Sequence, residues 1–160
     1  MTAMIRTAEG GEIDHLARLW HEGWRDGHGA IAPAGLVKVR TLESFAERLA
    51  AALADTFVAG PVGAPAGFFM LRGDEVYQFF VARPARGSGF ATSLMAGAEA
   101  ELARRGIATA WLDCAVGNDR AARFYQKCGW REARKQVNRL ETTEGVFEVP
   151  HWRFEKVVRG

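Results

Sequence analysis

At 160 residues the chain is the size of one domain, long enough to bury roughly 70% of the surface its unfolded form exposes, and a second catalytic domain is excluded. A hydrophobic share of 48% beside 25% charged residues excludes disorder as the main state. The net charge of +2 is too small to suggest a bulk nucleic-acid binder, but it is unevenly spread: residues 1–80 carry seven basic and ten acidic side chains, residues 81–160 fourteen and nine. An anionic ligand is therefore expected in the second half.

In chain order, Met4 to Ala8 reads as a short strand, broken by Gly10-Gly11. Ile13, Leu16, Ala17, Trp20 and Trp24 then share one helical face. Arg25 to Ala34, closing on Pro33, has loop chemistry, and Thr41 caps a second helix carrying Phe45, Leu49, Ala52 and Leu53. Thr56 to Ala59 and Gly67 to Arg72 read as strands around a Gly/Pro-rich turn, Gly60 to Pro65. The two-residue signal Gly73-Asp74 joins the latter strand to Glu75 to Val81 as an antiparallel hairpin, ended by Pro84.

Phe90 to Arg105 is a strong helix stopped by Gly106, followed by a strand, Thr109 to Ala115. Gly117-Asn118 opens a short helix with Ala121, Phe124, Tyr125 and Cys128 on one face, ended by Gly129. Trp130 to Arg139 and Val146 to Val158 read as a closing hairpin around Thr142 to Gly145. The order βααβββαβαββ predicts a mixed sheet covered by helices on both faces, with one strand-helix-strand crossover in the middle.

Cys114 and Cys128 form no CxxC pair, and the four histidines show no metal-ligand spacing, so no metal is expected. Met1 to Glu9 lacks a signal-peptide core and no stretch nears the roughly 18 apolar residues of a membrane span, so a cytoplasmic protein is expected.

The most specific local feature is Arg86-Gly87-Ser88-Gly89-Phe90-Ala91, between a predicted strand and a predicted helix. The first N–H groups of a helix lack internal partners and carry its positive dipole end, so small residues there let a pyrophosphate approach. Arg83 and Arg86 add charge at the same mouth. A tight connection with glycines for geometry alone is the plain reading. A dinucleotide loop is another, since Asp113 ends the next strand, but Thr92 stands where a third glycine belongs and an antiparallel hairpin precedes the loop.

Arg86 to Ala91 also resembles the [QR]-x-x-G-x-[GA] signature of the GNAT superfamily of N-acetyltransferases, matching all three specified positions. Tyr77 to Val81 resembles that family's fourth strand, and Asn118 to Trp130, NDRAARFYQKCGW, its later helix, with Trp130 where Phe is commoner. The resemblance covers nearly the whole chain in its succession of elements, though residues 1–60 agree only in pattern. It implies an α/β fold of the α+β type over residues 1–160 as one GNAT domain: a mixed, mostly antiparallel sheet of about seven strands, a central β-α-β crossover and helices on both faces. It further implies acetyl transfer from acetyl-CoA, with the loop cradling the pyrophosphate.

Through the same resemblance, main-chain groups of Phe80, Val81 and Arg83, the loop Arg86, Gly87, Ser88, Gly89, Phe90 and Ala91, and Asn118 are expected to hold the cosubstrate. Tyr125, from the Phe-Tyr pair, is the expected general acid. With an ordinary pKa of about 10 it stays protonated at neutral pH and can donate to a thiolate. Glu75 is the expected base, acting directly or through water; its alternative is an exposed residue beside the turn. Asn118 serves equally as a helix cap, and Cys114 as buried packing.

For the acceptor, Trp20, Glu22 and Trp24 form an aromatic and acidic cluster able to receive an ammonium, although Trp20 and Trp24 at i, i+4 spacing also read as core. Expected partners are a small-molecule amine or peptide acceptor, with neither nucleic acid nor membrane, and a homodimer left open. Two other functions stay open: a non-catalytic acyl-CoA-binding module on the same loop, and a nicotinamide-dependent oxidoreductase on the dinucleotide reading.

Overall fold

The computed structural model describes residues 4–159, so the expected span of 1–160 reaches beyond them at both ends. Its elements are β1 (Arg6–Thr7), α1 (Ile13–His28), α2 (Ala34–Val39), α3 (Leu42–Ala51), β2 (Thr56–Ala59), β3 (Gly67–Arg72), β4 (Glu75–Val81), α4 (Phe90–Arg104), β5 (Thr109–Ala115), α5 (Asp119–Lys127), β6 (Arg131–Thr142) and β7 (Gly145–Val157). The strands make one sheet in the order β1-β2-β3-β4-β5-β7-β6. Every neighbouring pair is antiparallel except β4 and β5, which α4 connects. This is the expected mixed, mostly antiparallel sheet, and a repeated parallel unit of the dinucleotide kind is absent from the described residues.

Each sheet face has its own apolar core. On one, Leu16, Trp20 and Trp24 of α1 pack with Phe45 and Leu49 of α3 onto Val58, Phe68 and Met70. On the other, Leu94, Met95, Ala98 and Leu102 of α4 pack with Phe69, Leu112, Trp130 and Phe154. Removing such side chains from water contributes about 1.5–3 kcal/mol each, which sets the faces of both helices. Thr41 caps α3 as expected, accepting from the Ser44 N–H at 3.1 Å, and Gly129 takes φ +90° after α5.

Two expectations change around residue 30. The helix α1 runs on to His28 through Gly23 and Gly27, which the sequence marked as part of a loop only at the second of these. Both glycines serve close approach: a Cβ at Gly23 would lie 2.6 Å from Phe80 Cδ1, and one at Gly27 2.8 Å from Asn118 Nδ2. The loop is confined to residues 29–33, and Pro33 closes it as expected but leads into an additional helix, α2, its carbonyl accepting from the Leu36 and Val37 N–H groups while Leu36 is buried. The closing hairpin is also longer than expected, turning at Thr143-Glu144. Its far half leaves β5 behind and lays Leu140, Phe147 and Val149 on the α1 side of the molecule.

Candidate active site

The parallel pair is held in register at one point, Glu75 opposite Trp111, where the Trp111 N–H donates to the Asp74 carbonyl at 3.1 Å. Beyond it β4 and β5 diverge. Into this wedge opens a cleft of ≈ 1390 Å³, whose lining reaches from Arg86, Gly87 and Ala91 at one end to Arg40, Arg72 and Arg139 at the other. Within β4 the register shifts, Met70 facing Gln78 but Leu71 facing Val76, so Tyr77 is an extra, bulged residue. The bulge resets alternation: Tyr77 and Phe80 join the α1 side, whereas Val76, Phe79 and Val81 join the α4 side.

At the loop, Gly87 and Gly89 have φ of +76° and +85°, a region that disfavours any Cβ, and a side chain there would meet no atom within 4 Å. Gly89, which has no side chain to cap with, precedes α4; the Ser88 hydroxyl donates to the Ala85 carbonyl at 2.6 Å and accepts a long bond from the Phe90 N–H at 3.4 Å. The N-terminus of a fifteen-residue helix behind two left-handed glycines fits a pyrophosphate, and so fits acetyl-CoA. Phe90 packs near Gly67, and Ala91 lines the cleft.

The two loop arginines are not free cations. Arg83 grips Asp26 of α1 through Nε and Nη2 at 2.9 and 2.6 Å, Arg86 Nη1 reaches the same carboxylate at 3.1 Å, and Arg83 Nε lies 3.2 Å from Glu22. These guanidinium hydrogen bonds, Arg83 first, hold the Asp26 carboxyl down at about 2. The Val81 carbonyl takes a longer bond from Arg86 Nε, 3.3 Å. Phe80 pairs with Phe68 and turns its main-chain groups to β3, whereas Val81, opposite Gly67, turns its own to the β5 side, where the carbonyl accepts from Arg86 and the N–H faces the wedge.

Tyr125 lines the cleft from α5, packed against Phe124 and Phe154, and burial lifts its phenol well above the usual range. Asn118 caps α5, its Oδ1 accepting from the Ala121 N–H at 3.4 Å, and also lines the cleft. Cys114 is buried and its thiol is pushed up to about 12, chiefly by burial, so it stays protonated. Glu75 is not the exposed turn residue of the alternative reading: it is buried, lines the cleft, and burial raises its carboxyl to about 7. Asp113, opposite on β5, accepts from Asn138 at 2.8 Å and from Gln136 at 3.3 Å.

The expected acceptor cluster does not assemble. Trp20 has no exposed surface and lies among Phe45, Phe68 and Phe80, because a large apolar ring at that helical position is driven into the sheet. Glu22 points to Arg83 at the cofactor end. Of the three only Trp24 lines the cleft, stacked on His28 with centroids 5.3 Å apart. In their place stand His28, from the same aromatic and ionisable stretch as the expected cluster, and Arg40, Arg48, Arg72, Tyr77 and His151, to which the sequence assigns no acceptor role. Burial, chiefly, lowers His28 to about 4, so it is neutral. A further sequence signal for this face is the Gly23 and Gly27 spacing at i, i+4, which marks a helix face approached closely by another element.

Among the described residues no group of three His, Cys, Asp or Glu side chains gathers where it could hold a metal ion, and no helix is long and apolar enough to cross a membrane. Residues 16–130 match the model of the Acetyltransferase (GNAT) family. A search of curated protein sequences finds no match. Among solved structures the chain is similar to a GCN5-related N-acetyltransferase from Rhodopseudomonas palustris, with TM-score 0.75 and 20% identity over 98% of this chain and 96% of that one. It is similar also to the PaiA N-acetyltransferase from Thermoplasma acidophilum in complex with coenzyme A, with TM-score 0.67 and 17% identity over 98% and 99%. A third is the ribosomal-protein-alanine N-acetyltransferase from Brucella melitensis, with TM-score 0.70 and 19% identity over 96% and 99%.

Proposed function

Since the chain belongs to the GNAT family of acetyltransferases, we propose that it moves the acetyl group of acetyl-CoA to a primary amine by direct attack within a ternary complex. The observation that carries this reading is that Glu75 and Tyr125, from β4 and α5, line one cleft whose mouth is the glycine loop. Acetyl-CoA supplies the acyl carbon as a thioester: the amine nitrogen bonds to it as the C–S bond breaks, with one proton leaving the ammonium before attack, one passing from an acid to sulfur, and the nitrogen's remaining surplus proton restoring that acid as the amide forms.

Glu75 takes the first proton, directly or through water. A carboxyl near 7 is a far stronger base than an exposed glutamate and is still substantially ionised at neutral pH. Tyr125 gives the second, remaining protonated until that moment because its surroundings disfavour phenolate. The Gly87 to Ala91 loop binds the pyrophosphate, and the Val81 N–H on the wedge side of β4 aligns the pantetheine arm. Direct transfer is favoured over an acyl-enzyme because the buried Cys114 thiol provides no thiolate.

Thiol release from acetyl-CoA across a panel of amines tests the reading. Amine-dependent release is the expected result. Acetyl-CoA binding with no release for any amine would instead identify an acyl-CoA-binding module.

A further inference from the structure

At the acceptor end of the cleft three arginines, Arg40, Arg48 and Arg72, gather without an ion pair among the described residues, although Glu47, Glu75, Asp113 and Glu141 line the same cleft. Arg48 of α3 donates through Nη2 to the Tyr77 hydroxyl at 3.0 Å, and its guanidinium lies 4.4 Å from the centroid of the buried Trp20 ring. Arg72, at the end of β3, has its guanidinium carbon 3.4 Å from the Tyr77 ring centroid. Arg40, the residue after α2, is half buried and interacts electrostatically with both Arg48 and Tyr77. Among the described residues none of these three arginines makes an ion pair, in contrast to Arg6, Arg83 and Arg86, each of which holds a carboxylate. Glu75 faces Arg72 electrostatically but beyond ion-pair distance.

Bringing like charges together in a partly desolvated cleft is unfavourable unless an anion completes the set. Burial first, then Arg48, pulls Arg40 down to about 10, as expected of a cation short of a counter-charge. Tyr77 responds in the opposite sense: burial alone would raise its phenol, but Arg48 and Arg72 outweigh it and the net shift is downward. The β4 bulge puts Tyr77 on this face, so the local backbone irregularity is what brings the arginines of α3 and β3 to one ring.

We propose that Arg40, Arg48 and Arg72, gathered on Tyr77, form a subsite for a carboxylate or phosphate group carried by the same molecule that presents the amine. The inference rests on the acetyl-transfer reading above for the amine, but not for the anion. Tyr77 lies two residues along β4 from Glu75, about 7 Å at the strand rise, so the amine and the anion of the acceptor are a few bonds apart. Bidentate guanidinium contact suits both oxyanions, and the two sources are separated by experiment.

Thiol release at saturating acetyl-CoA is measured on matched acceptors differing only in the anion: β-alanine against β-alaninamide for the carboxylate, and 2-aminoethyl phosphate against ethanolamine for the phosphate. The expected result is that in at least one pair the anionic member has a kcat/KM tenfold or more above its neutral partner. Arg40→Gln should shrink that ratio to within threefold, chiefly through KM. Arg72 is exposed, so Arg72→Gln provides the same test should the first variant not fold. Equal or better turnover of the neutral members, or a ratio unchanged in both variants, overturns the proposal.

If no acceptor reacts, the transfer reading fails separately, and the subsite is judged by calorimetric titration of inorganic phosphate and of succinate into the CoA-saturated protein. Millimolar or tighter binding that weakens about tenfold in Arg40→Gln or Arg72→Gln upholds it. Absence of binding by both anions overturns it.

Discussion

Glu75 and Trp111 are the one pair that β4 and β5 hold in register, and Glu75 is therefore the hinge of the wedge as well as its proposed base. A carboxylate placed there is buried by the very pairing that starts the cleft. Burial raises it to about 7, with Asp113 and Asp74 adding to the rise and Arg72 and Arg153 opposing it. The kcat/KM profile should climb with pH through about 7 and level above, since the ionised form is the base. Glu75→Gln should lower kcat about 100-fold or more and remove that limb. A superimposable profile would take Glu75 out of the mechanism.

The same shift has a sign for stability. A carboxyl raised from 4.5 to about 7 stabilises the fold below 4.5 and loses that contribution as pH rises through 7, up to about 3 kcal/mol. Glu75→Gln should therefore melt higher than the parent at pH 8 and close to it at pH 4. A site that costs stability and is improved thermally by losing its charge is what a functional carboxylate looks like.

Tyr125→Phe keeps the ring that packs on Phe124 and Phe154 and removes only the hydroxyl. Turnover should fall about 100-fold with melting temperature and CoA affinity preserved. Full turnover under a chemistry-limited rate would reassign the acid.

Asp26 competes for the arginines that face the phosphate loop. Asp26→Asn should tighten CoA binding about threefold to tenfold at low salt, an advantage that shrinks at high salt because these groups are partly exposed. Calorimetric titration at two ionic strengths checks this. Weaker binding would show that Asp26 instead positions Arg83.

Gly89 and Gly73 share positive φ, +85° and +61°, and open surroundings. Alanine at either should cost about 1–2 kcal/mol of strain. Only Gly89→Ala should also raise the Kd for CoA, because Gly73 lies in the β3–β4 turn, away from the loop.

Far from the cleft, Glu12 is buried against Arg6, with bonds of 2.9 and 2.7 Å and the Gly63 N–H at 3.0 Å. The Arg6 hydrogen bonds chiefly hold its carboxyl at about 2, against an ordinary 4.5. Its contribution, up to about 3 kcal/mol, is complete above 4.5 and lost as pH falls towards 2. Glu12→Gln should thus destabilise at pH 7 and little at pH 2, as read by chemical denaturation.

Much of this molecule is legible in its sequence wherever the chemistry is local. The Thr41 and Asn118 caps, the Gly73 turn, the left-handed Gly129 and the Arg86 to Ala91 loop each depend on neighbours within a few residues, so residue type and spacing determine them. Helical and strand periods likewise determine which faces are apolar, and so the two-sided sheet. The loop reading of Arg25 to Ala34 is right for residues 29–33 and not for 25–28, because glycines that break an isolated helix are tolerated where a packed neighbour needs the room, as Phe80 and Asn118 do beside Gly23 and Gly27. What only tertiary structure decided is where charge goes. Arg83 meets Asp26 across 57 residues of chain and Arg48 meets Tyr77 across 29, pairings that no local period encodes. Glu22 and Asp26 of the first half meet the loop arginines, and Arg40, Arg48 and Arg72 meet at the acceptor cleft, because sheet order and one bulge in β4 set which side chains share a space.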